Sequence, residues 1–122
     1  MRKFDKQKFK DKHHFLERYI YQGLTNLNDG FDAPTIFYFS SSDFSIVLKR
    51  IERIKIGIYG IEPWDMNNHY YNVKLFNDYS TDPSDPKWYK KAYEEFKDTG
   101  ENLKYAASYY VPEEFIKKKN YK

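Results

Sequence analysis

The stretch Lys55-Ile56-Gly57-Ile58-Tyr59-Gly60-Ile61-Glu62-Pro63-Trp64 decides the fold that the sequence predicts. Isoleucine recurs at every second position here, at Ile54 just before the stretch and at Ile56 and Ile58 within it, which is the spacing of a half-buried β-strand. The stretch therefore predicts a central strand that runs into a sharp turn.

Three residues of this stretch constrain its neighbours. Gly57 and Gly60 carry no side chain, so another backbone or a binding partner could approach the strand closely at these positions. Pro63 cannot donate a hydrogen bond to a neighbouring strand, so we expect β pairing to stop near Glu62.

Length and composition predict that residues 1–122 form one packed domain. Aromatic residues make up 20% of the chain, with 13 Tyr and 10 Phe, which is enough large side chains for a hydrophobic core. No apolar run reaches the roughly 20 residues of a membrane-spanning helix, and the Lys-rich start lacks the apolar segment of a signal peptide. The absence of cysteine excludes disulfides and thiolate metal sites, and it fits a cytoplasmic protein.

The net charge of +3 conceals an uneven distribution. Residues 1–12 carry six Lys or Arg against two Asp, and residues 117–122 carry four Lys, so each end has a net charge of +4. The body between them holds 11 basic and 16 acidic side chains, which is a net charge of −5. We expect residues 1–4 and 118–122 to be frayed basic tails, and a weak contact with a polyanion is the alternative.

Hydrophobic spacing predicts the other elements. Helices are expected over residues 5–22, 44–51 and 86–99, and strands over 35–39, 70–76 and 103–111. The apolar stripe of the first helix comprises Phe9, Leu16, Tyr19 and Ile20. Ser40 and Asp85 suit the capping positions of the next two helices, and Pro112 opens a short terminal helix.

The order of elements after the first helix is βαββαβ. This order predicts an α+β fold with a ferredoxin-like, four-stranded antiparallel sheet that carries two helices on one face. The additional N-terminal and C-terminal helices must cover an edge of the sheet or pack on its open face.

No combination of residues indicates catalysis or a cofactor. His13 and His14 are adjacent on a helix and point about 100° apart, and His69 has no second ligand at a suitable spacing, so no metal site is predicted. The serines at 40–42 lack the glycines of a nucleophile elbow, and helix capping explains them. No glycine-rich phosphate loop is present. We therefore expect a protein that is not an enzyme.

Acidic and aromatic side chains interleave after the second and third predicted strands. We expect a partner-binding surface that comprises Glu62, Trp64, Asp65, Asp78, Tyr79, Asp82 and Trp88. Such a surface suits a protein partner with a basic site. Trp88 lies off the main apolar stripe of its helix, which predicts an exposed ring. Turn formation by Asp78 or Asp82 and core burial of Trp64 are the alternatives.

A second interpretation starts from the open face of the predicted sheet. Tyr59, Tyr70, Phe76 and Tyr110 could occupy that face and stack on RNA bases. However, residues 55–62 do not match the consensus of RNA-recognition domains, and the acidic body has the wrong charge for phosphate. A small RNA-binding module is therefore the less favoured alternative.

Three segments of the chain resemble the small immunity proteins of bacterial toxin systems. They are the run Gly57–Trp64, the segment Tyr70-Tyr71-Asn72-Val73, and the residues from Asp82-Pro83 to Trp88-Tyr89. Immunity proteins are compact cytoplasmic α+β proteins that bind and neutralise a cognate toxin domain, often a nuclease. The resemblance implies a non-catalytic inhibitor of a protein partner. A phage- or plasmid-encoded inhibitor of a host defence protein would leave the same sequence pattern.

Overall fold

The protein is described by a computed structural model that covers residues 6–119, with side chains from residue 6 to residue 116. The helices are α1 (Lys6–Tyr19), α2 (Ser41–Ile54), α3 (Pro86–Asp98) and α4 (Glu113–Lys119), and the strands are β1 (Gly57–Asp65), β2 (Lys74–Leu75) and β3 (Leu103–Tyr110). The α+β class is as predicted. The backbone of α4 includes residues 118 and 119, which were expected in a frayed tail, and the predictions for residues 1–4 and 120–122 lie outside the described range.

The sheet has three strands in the order β2-β1-β3, and β1 pairs antiparallel with both neighbours. The prediction of a central strand in this part of the chain is therefore confirmed, whereas the four-stranded ferredoxin-like sheet is wrong. The pairing with β3 is long and runs from Gly57 opposite Tyr110 to Asp65 opposite Leu103. A bulge between Ile58 and Gly60 interrupts it.

Residues 35–38, which were expected in a strand, lie in a loop. The amide of Tyr38 donates to Asn26 Oδ1 (3.0 Å), and the carbonyl of Tyr38 accepts from the amide of Leu27 (2.7 Å). Only Phe39 reaches the sheet, where it exchanges two hydrogen bonds of 2.8 Å with Tyr105. Because the loop at Asn26 and Leu27 already provides partners for the backbone N–H and C=O of Tyr38, pairing with the sheet would add no hydrogen bond at this residue.

Pro63 does not end β1, contrary to the prediction. Tyr105, which lies opposite Pro63, directs both of its backbone groups away from β1 toward Phe39. Pro63 therefore occupies a position that needs no donor toward β3, and its carbonyl accepts from the amide of Tyr71 on the other side (3.0 Å). The predicted strand over 70–76 is reduced to β2 and an isolated bridge between Tyr70 and Trp64.

The bulge lets residues on either side of it share one face of the sheet. Ile58 and Ile61 are both fully buried on the face that packs against the helices, which we call the helix face. On the same face, the ring of Tyr105 lies 5.0 Å from that of Phe44 in α2 and 5.8 Å from that of Phe96 in α3. We call the opposite side of the sheet the far face.

Helix starts follow the predicted capping chemistry. Ser40 Oγ accepts from the amide of Asp43 (3.2 Å), and Asp85 Oδ1 accepts from the amide of Lys87 (3.0 Å).

The apolar stripe of α1 is only partly as predicted. Leu16 is buried as expected, but Phe9 and Tyr19 are 44% and 43% exposed. The helix instead packs through Phe15, whose ring lies 5.8 Å from that of Phe115 in α4. Phe15 is therefore a core residue that the prediction missed, while Leu16 and Ile20 are buried as predicted.

Candidate functional site

Aromatic side chains enclose a lysine at one end of the far face. Lys104 is only 4% exposed, although the alternation of side chains along β3 directs it to the far face, opposite the hydrophobic core. Its ammonium nitrogen lies 4.0 Å from the centre of the Phe31 ring, and that ring lies 5.2 Å from Trp64. The loop that contains Phe31 and Tyr38 therefore covers this end of the sheet, and a cation–π contact stabilises the buried charge.

The other partner of Lys104 comes from the turn after β1. Lys104 Nζ donates to Asn68 Oδ1, and Asn68 has a positive φ of 67°. No ion pair joins Lys104 to a carboxylate within residues 6–116. Because the Phe31 ring and the Asn68 amide oxygen stabilise this buried ammonium group, removing either is expected to destabilise the fold.

Asp65 shapes this turn rather than standing free on the surface. Its Oδ1 accepts from the amides of Asn67 (2.8 Å) and His69 (3.0 Å), and its Oδ2 lies 3.2 Å from His69 Nδ1. The hydrogen bond from the His69 amide holds the pKa of the Asp65 carboxyl below its ordinary value of 3.8, with smaller contributions from Asn67 and the His69 ring. Asp65 thereby fixes the loop that supplies Asn68 to Lys104.

The variant Asp65→Asn is expected to lower the melting temperature at neutral pH. Because folding lowers the pKa of Asp65, its stabilising contribution is present above pH 3.8 and is lost as the pH falls through the folded-state value. The difference between wild type and variant should therefore shrink below pH 3.8, as measured by thermal unfolding across a pH series. A difference that does not depend on pH would contradict this role, and Asp98→Asn, an exposed change at the end of α3, is the control.

Two carboxylates lie beside the aromatic cluster. Tyr38 donates a hydrogen bond of 2.5 Å from its hydroxyl to Asp32 Oδ2. Burial raises the pKa of Tyr38, and the hydrogen bond to Asp32 and the negative charge of Glu62 raise it further. The negative charge of Glu62, which lies two residues before Trp64 on β1, therefore acts on this aromatic cluster.

The rest of the far face exposes large apolar side chains. Tyr59 at the bulge, Tyr70 in the hairpin and Leu75 on β2 are 41%, 51% and 44% exposed. The ring of Tyr70 lies 5.7 Å from that of Trp64, and Leu75 packs on Gly60. We define the far-face patch as Tyr59, Glu62, Trp64, Tyr70 and Leu75. The far-face patch thus combines exposed aromatic rings with the carboxylate of Glu62 on the central strand.

The structure separates the predicted site residues into two groups. Glu62, Trp64 and Asp65 lie at the end of β1, whereas Asp82 belongs to the loop that contacts the start of β1 through Pro83. Six residues of strand at about 3.3 Å each place the two groups roughly 20 Å apart. Only the first group belongs to the far-face patch and its turn.

The second group has partners of its own. Tyr79 donates from its hydroxyl to Glu95 Oε1 (2.6 Å), and Lys74 Nζ lies 3.4 Å from the same oxygen. The hydrogen bond from Tyr79 is the largest cause of the lowered pKa of Glu95. Asp82 Oδ1 accepts from the amide of Ser84 (2.9 Å), which makes it a turn residue, while Asp78 is exposed beside an open groove of about 460 Å³.

Trp88 is a core residue, which contradicts its predicted exposure. Its side chain is 1% exposed, and its indole nitrogen donates to the carbonyl of Ile58 (3.0 Å). Trp88 points away from the main apolar stripe of α3. That side of the helix faces β1 and the loop at Pro83, which together cover the ring. Trp88 therefore cannot offer its ring to a partner while the fold is intact.

Sequence reasoning missed Lys104, Phe31 and Tyr38 as neighbours of Trp64. Alternation along β3 places Lys104 on the far face, but nothing local indicates that a distant loop covers it. The indole nitrogen of Trp64 is buried without a hydrogen-bond partner in the part of the chain that the structure describes. Aromatic packing, rather than a hydrogen bond, therefore holds this ring in place.

The chain matches no protein-family model, no curated protein and no solved structure. Among the described residues, no group of three His, Asp or Glu side chains could hold a metal ion. Within the same part of the chain, every helix is too short or too polar to cross a bilayer.

Proposed function

We propose that this protein is a non-catalytic inhibitor that binds a protein partner through the far-face patch. We further propose that it is a cytoplasmic antidote of the immunity type, and that the partner is a cognate bacterial toxin domain, such as a nuclease. The observation that carries the proposal is the exposure of Tyr59, Tyr70 and Leu75 around Glu62 on the central strand.

Exposed aromatic rings favour a protein partner on energetic grounds. Tyrosine and tryptophan bury a large area on binding and lose little conformational entropy, which is why they dominate the energetics of interfaces. Tyr59 lies 5.7 Å from Tyr110 and 6.0 Å from Phe76, so its ring is held in place before a partner binds. A pre-organised patch on a paired strand binds with a smaller entropic cost.

The acidic groups favour a partner with a basic surface. Glu62 lies within the patch, Asp65 lies at the end of the same strand, and Asp32 accepts a hydrogen bond from Tyr38, whose ring contacts Trp64. Carboxylates at these positions would occupy the place of substrate phosphates in a nuclease active site and would accelerate association. A host defence protein with a basic site would be bound by the same surface, so the partner's identity separates this alternative from the toxin.

RNA binding is less well supported by the same geometry. Stacking on Tyr59 and Tyr70 would bring phosphates toward Glu62, and the nearby cation, Lys104, is buried against Phe31. Retention of the wild-type chain on RNA, with a strong dependence on salt and loss of retention in Tyr70→Ala, would favour the RNA-binding module instead.

The proposal predicts that the patch controls binding of a captured partner. The partner is isolated with the tagged chain from the native host, and association and dissociation rates are then measured at low and physiological salt. We expect Tyr70→Ala to weaken binding about tenfold or more, and Glu62→Lys to slow association by a similar factor at low salt.

Glu94→Lys is the matched control, because it reverses the charge of an exposed residue on α3, against the other face of the sheet. It should leave both rates within about twofold. The paired change Asp78→Lys with Asp82→Lys tests the second group of predicted residues. A larger loss from this pair than from the patch variants would contradict the far-face patch, and a captured partner that is not a toxin would contradict the antidote.

A further inference from the structure

A pocket of about 180 Å³ lies on the helix face, away from the far-face patch. It is bounded by α1, by the loop at residues 35–37 and by the end of β3. Leu16, Ile36 and Phe37 give it an apolar wall, and Lys12, His13 and Tyr109 are among its polar residues.

The pocket exists because the outer edge of β3 is unpaired beyond Phe39. Tyr105 directs both of its backbone groups to Phe39, so the alternation of an antiparallel strand turns the backbone N–H and C=O of Ala107 to the same edge. The loop at 35–37 passes this edge without pairing with it. A backbone donor and acceptor therefore border the apolar wall.

Two polar side chains of the pocket have no partner of their own within the described residues. Tyr109 is 3% exposed, and its hydroxyl makes no hydrogen bond there. The Tyr21 hydroxyl group is close enough to contribute to the raised pKa of Tyr109, of which burial is the main cause, but the contact lacks hydrogen-bond geometry. Lys12 has no acidic partner in that range, and partial burial lowers its pKa. His13, in contrast, has an acidic neighbour, because its Nε2 lies 3.4 Å from Glu17 Oε2.

We infer that this pocket binds a small carboxylate built on a single aromatic ring. An apolar cavity of about 150 Å³ holds one benzene ring, so 180 Å³ accommodates a ring and little more. Drug-sized ligands usually occupy roughly 300 Å³ or more, so a single ring is the better match for this volume. The ring packs against Phe37 and Ile36, and the carboxylate accepts from Lys12, which otherwise lacks a counter-charge.

Benzoate is the test ligand, and benzamide is the neutral control of the same shape. The ¹⁵N-labelled protein is titrated with each, and amide shifts are followed by two-dimensional NMR. Benzoate should bind with a dissociation constant on the order of 1 mM, as its size allows. The saturating shifts should cluster at Lys12, Ile36, Phe37 and residues 107–109, and benzamide should bind at least fivefold more weakly.

Lys12→Gln separates the charge contact from non-specific binding. It should weaken benzoate at least fivefold and abolish the preference over benzamide, while the NMR spectrum shows that the fold is retained. Lys10→Gln, an exposed change on the same helix, should bind benzoate within about twofold of wild type. Equal affinity for benzoate and benzamide, shifts that do not saturate, or an equal loss in Lys10→Gln would each overturn the inference. Because the far-face patch does not take part, these outcomes leave the proposed partner binding untouched.

Discussion

Replacing Trp88 with alanine is expected to lower the free energy of unfolding by about 3–5 kcal/mol, the usual cost of truncating a fully buried tryptophan. The indole is 1% exposed, lies 5.5 Å from the ring of Tyr79, and donates to the carbonyl of Ile58 at 3.0 Å. The change therefore leaves a cavity and removes the donor to a buried carbonyl in β1. Urea unfolding followed by far-UV circular dichroism measures the loss, which is a large share of the roughly 5–15 kcal/mol of a typical domain.

Tyr59→Ala is the matched control, because it truncates a ring of similar size that is 41% exposed. We expect it to cost about 1–2 kcal/mol, less than Trp88→Ala, since 41% of the side chain already faces water and its loss leaves no enclosed cavity. The two variants thus separate a structural ring from one that is available to a partner. If Trp88→Ala kept the wild-type stability but lost partner binding, Trp88 would belong to the interface, as the sequence suggested.

The elements of this fold that depend on neighbours in sequence could be predicted. Ser40 and Asp85 cap their helices because a short oxygen-bearing side chain at that position can reach the free amides two or three residues on. The central strand was found because Ile56 and Ile58 alternate with small or exposed residues. In each case the chemistry that decides the structure lies within a few residues.

The topology could not be predicted, because distant partners decide it. Whether residues 35–38 join the sheet depends on Asn26, which holds Tyr38 in the loop, and nothing in the strand-like composition of the segment reveals that competition. The bulge at Tyr59 is equally hidden, although it sets which residues after it face the helices.

The candidate site shows the same division. Glu62 and Trp64 were expected after the strand, but both lie within β1, opposite Ala106 and Lys104, because β3 continues to pair past Pro63. The burial of Lys104 was hidden, because it requires Phe31 to cross the far face. The exposure predicted for Trp88 failed for a related reason: a helix position off the main stripe can still be covered by a loop, and here Pro83 covers it.

That loop is also the reason why Gly57→Ala is expected to destabilise the fold by about 1–3 kcal/mol, the cost of overpacking a buried site. A Cβ at Gly57 would lie 2.8 Å from the carbonyl carbon and oxygen of Pro83. This contact is with backbone, so it cannot be relieved by a rotamer change. The Pro83 carbonyl also accepts from the amide of Ile58 (3.0 Å) and from the indole of Trp88 (3.3 Å), so moving it would strain both hydrogen bonds.

Gly60→Ala provides the comparison within the same strand. The nearest atom to its added Cβ is Leu75 Cδ2 at 3.0 Å, the far end of a side chain that is 44% exposed and can turn away. The smaller entropy of alanine in the unfolded chain offsets part of the remaining cost, so we expect a change within about 1 kcal/mol. Urea unfolding of both variants measures the contrast. Equal stability of the two variants would show that the loop at Pro83 yields to β1, and the anchoring of Trp88 would then have to come from α3 alone.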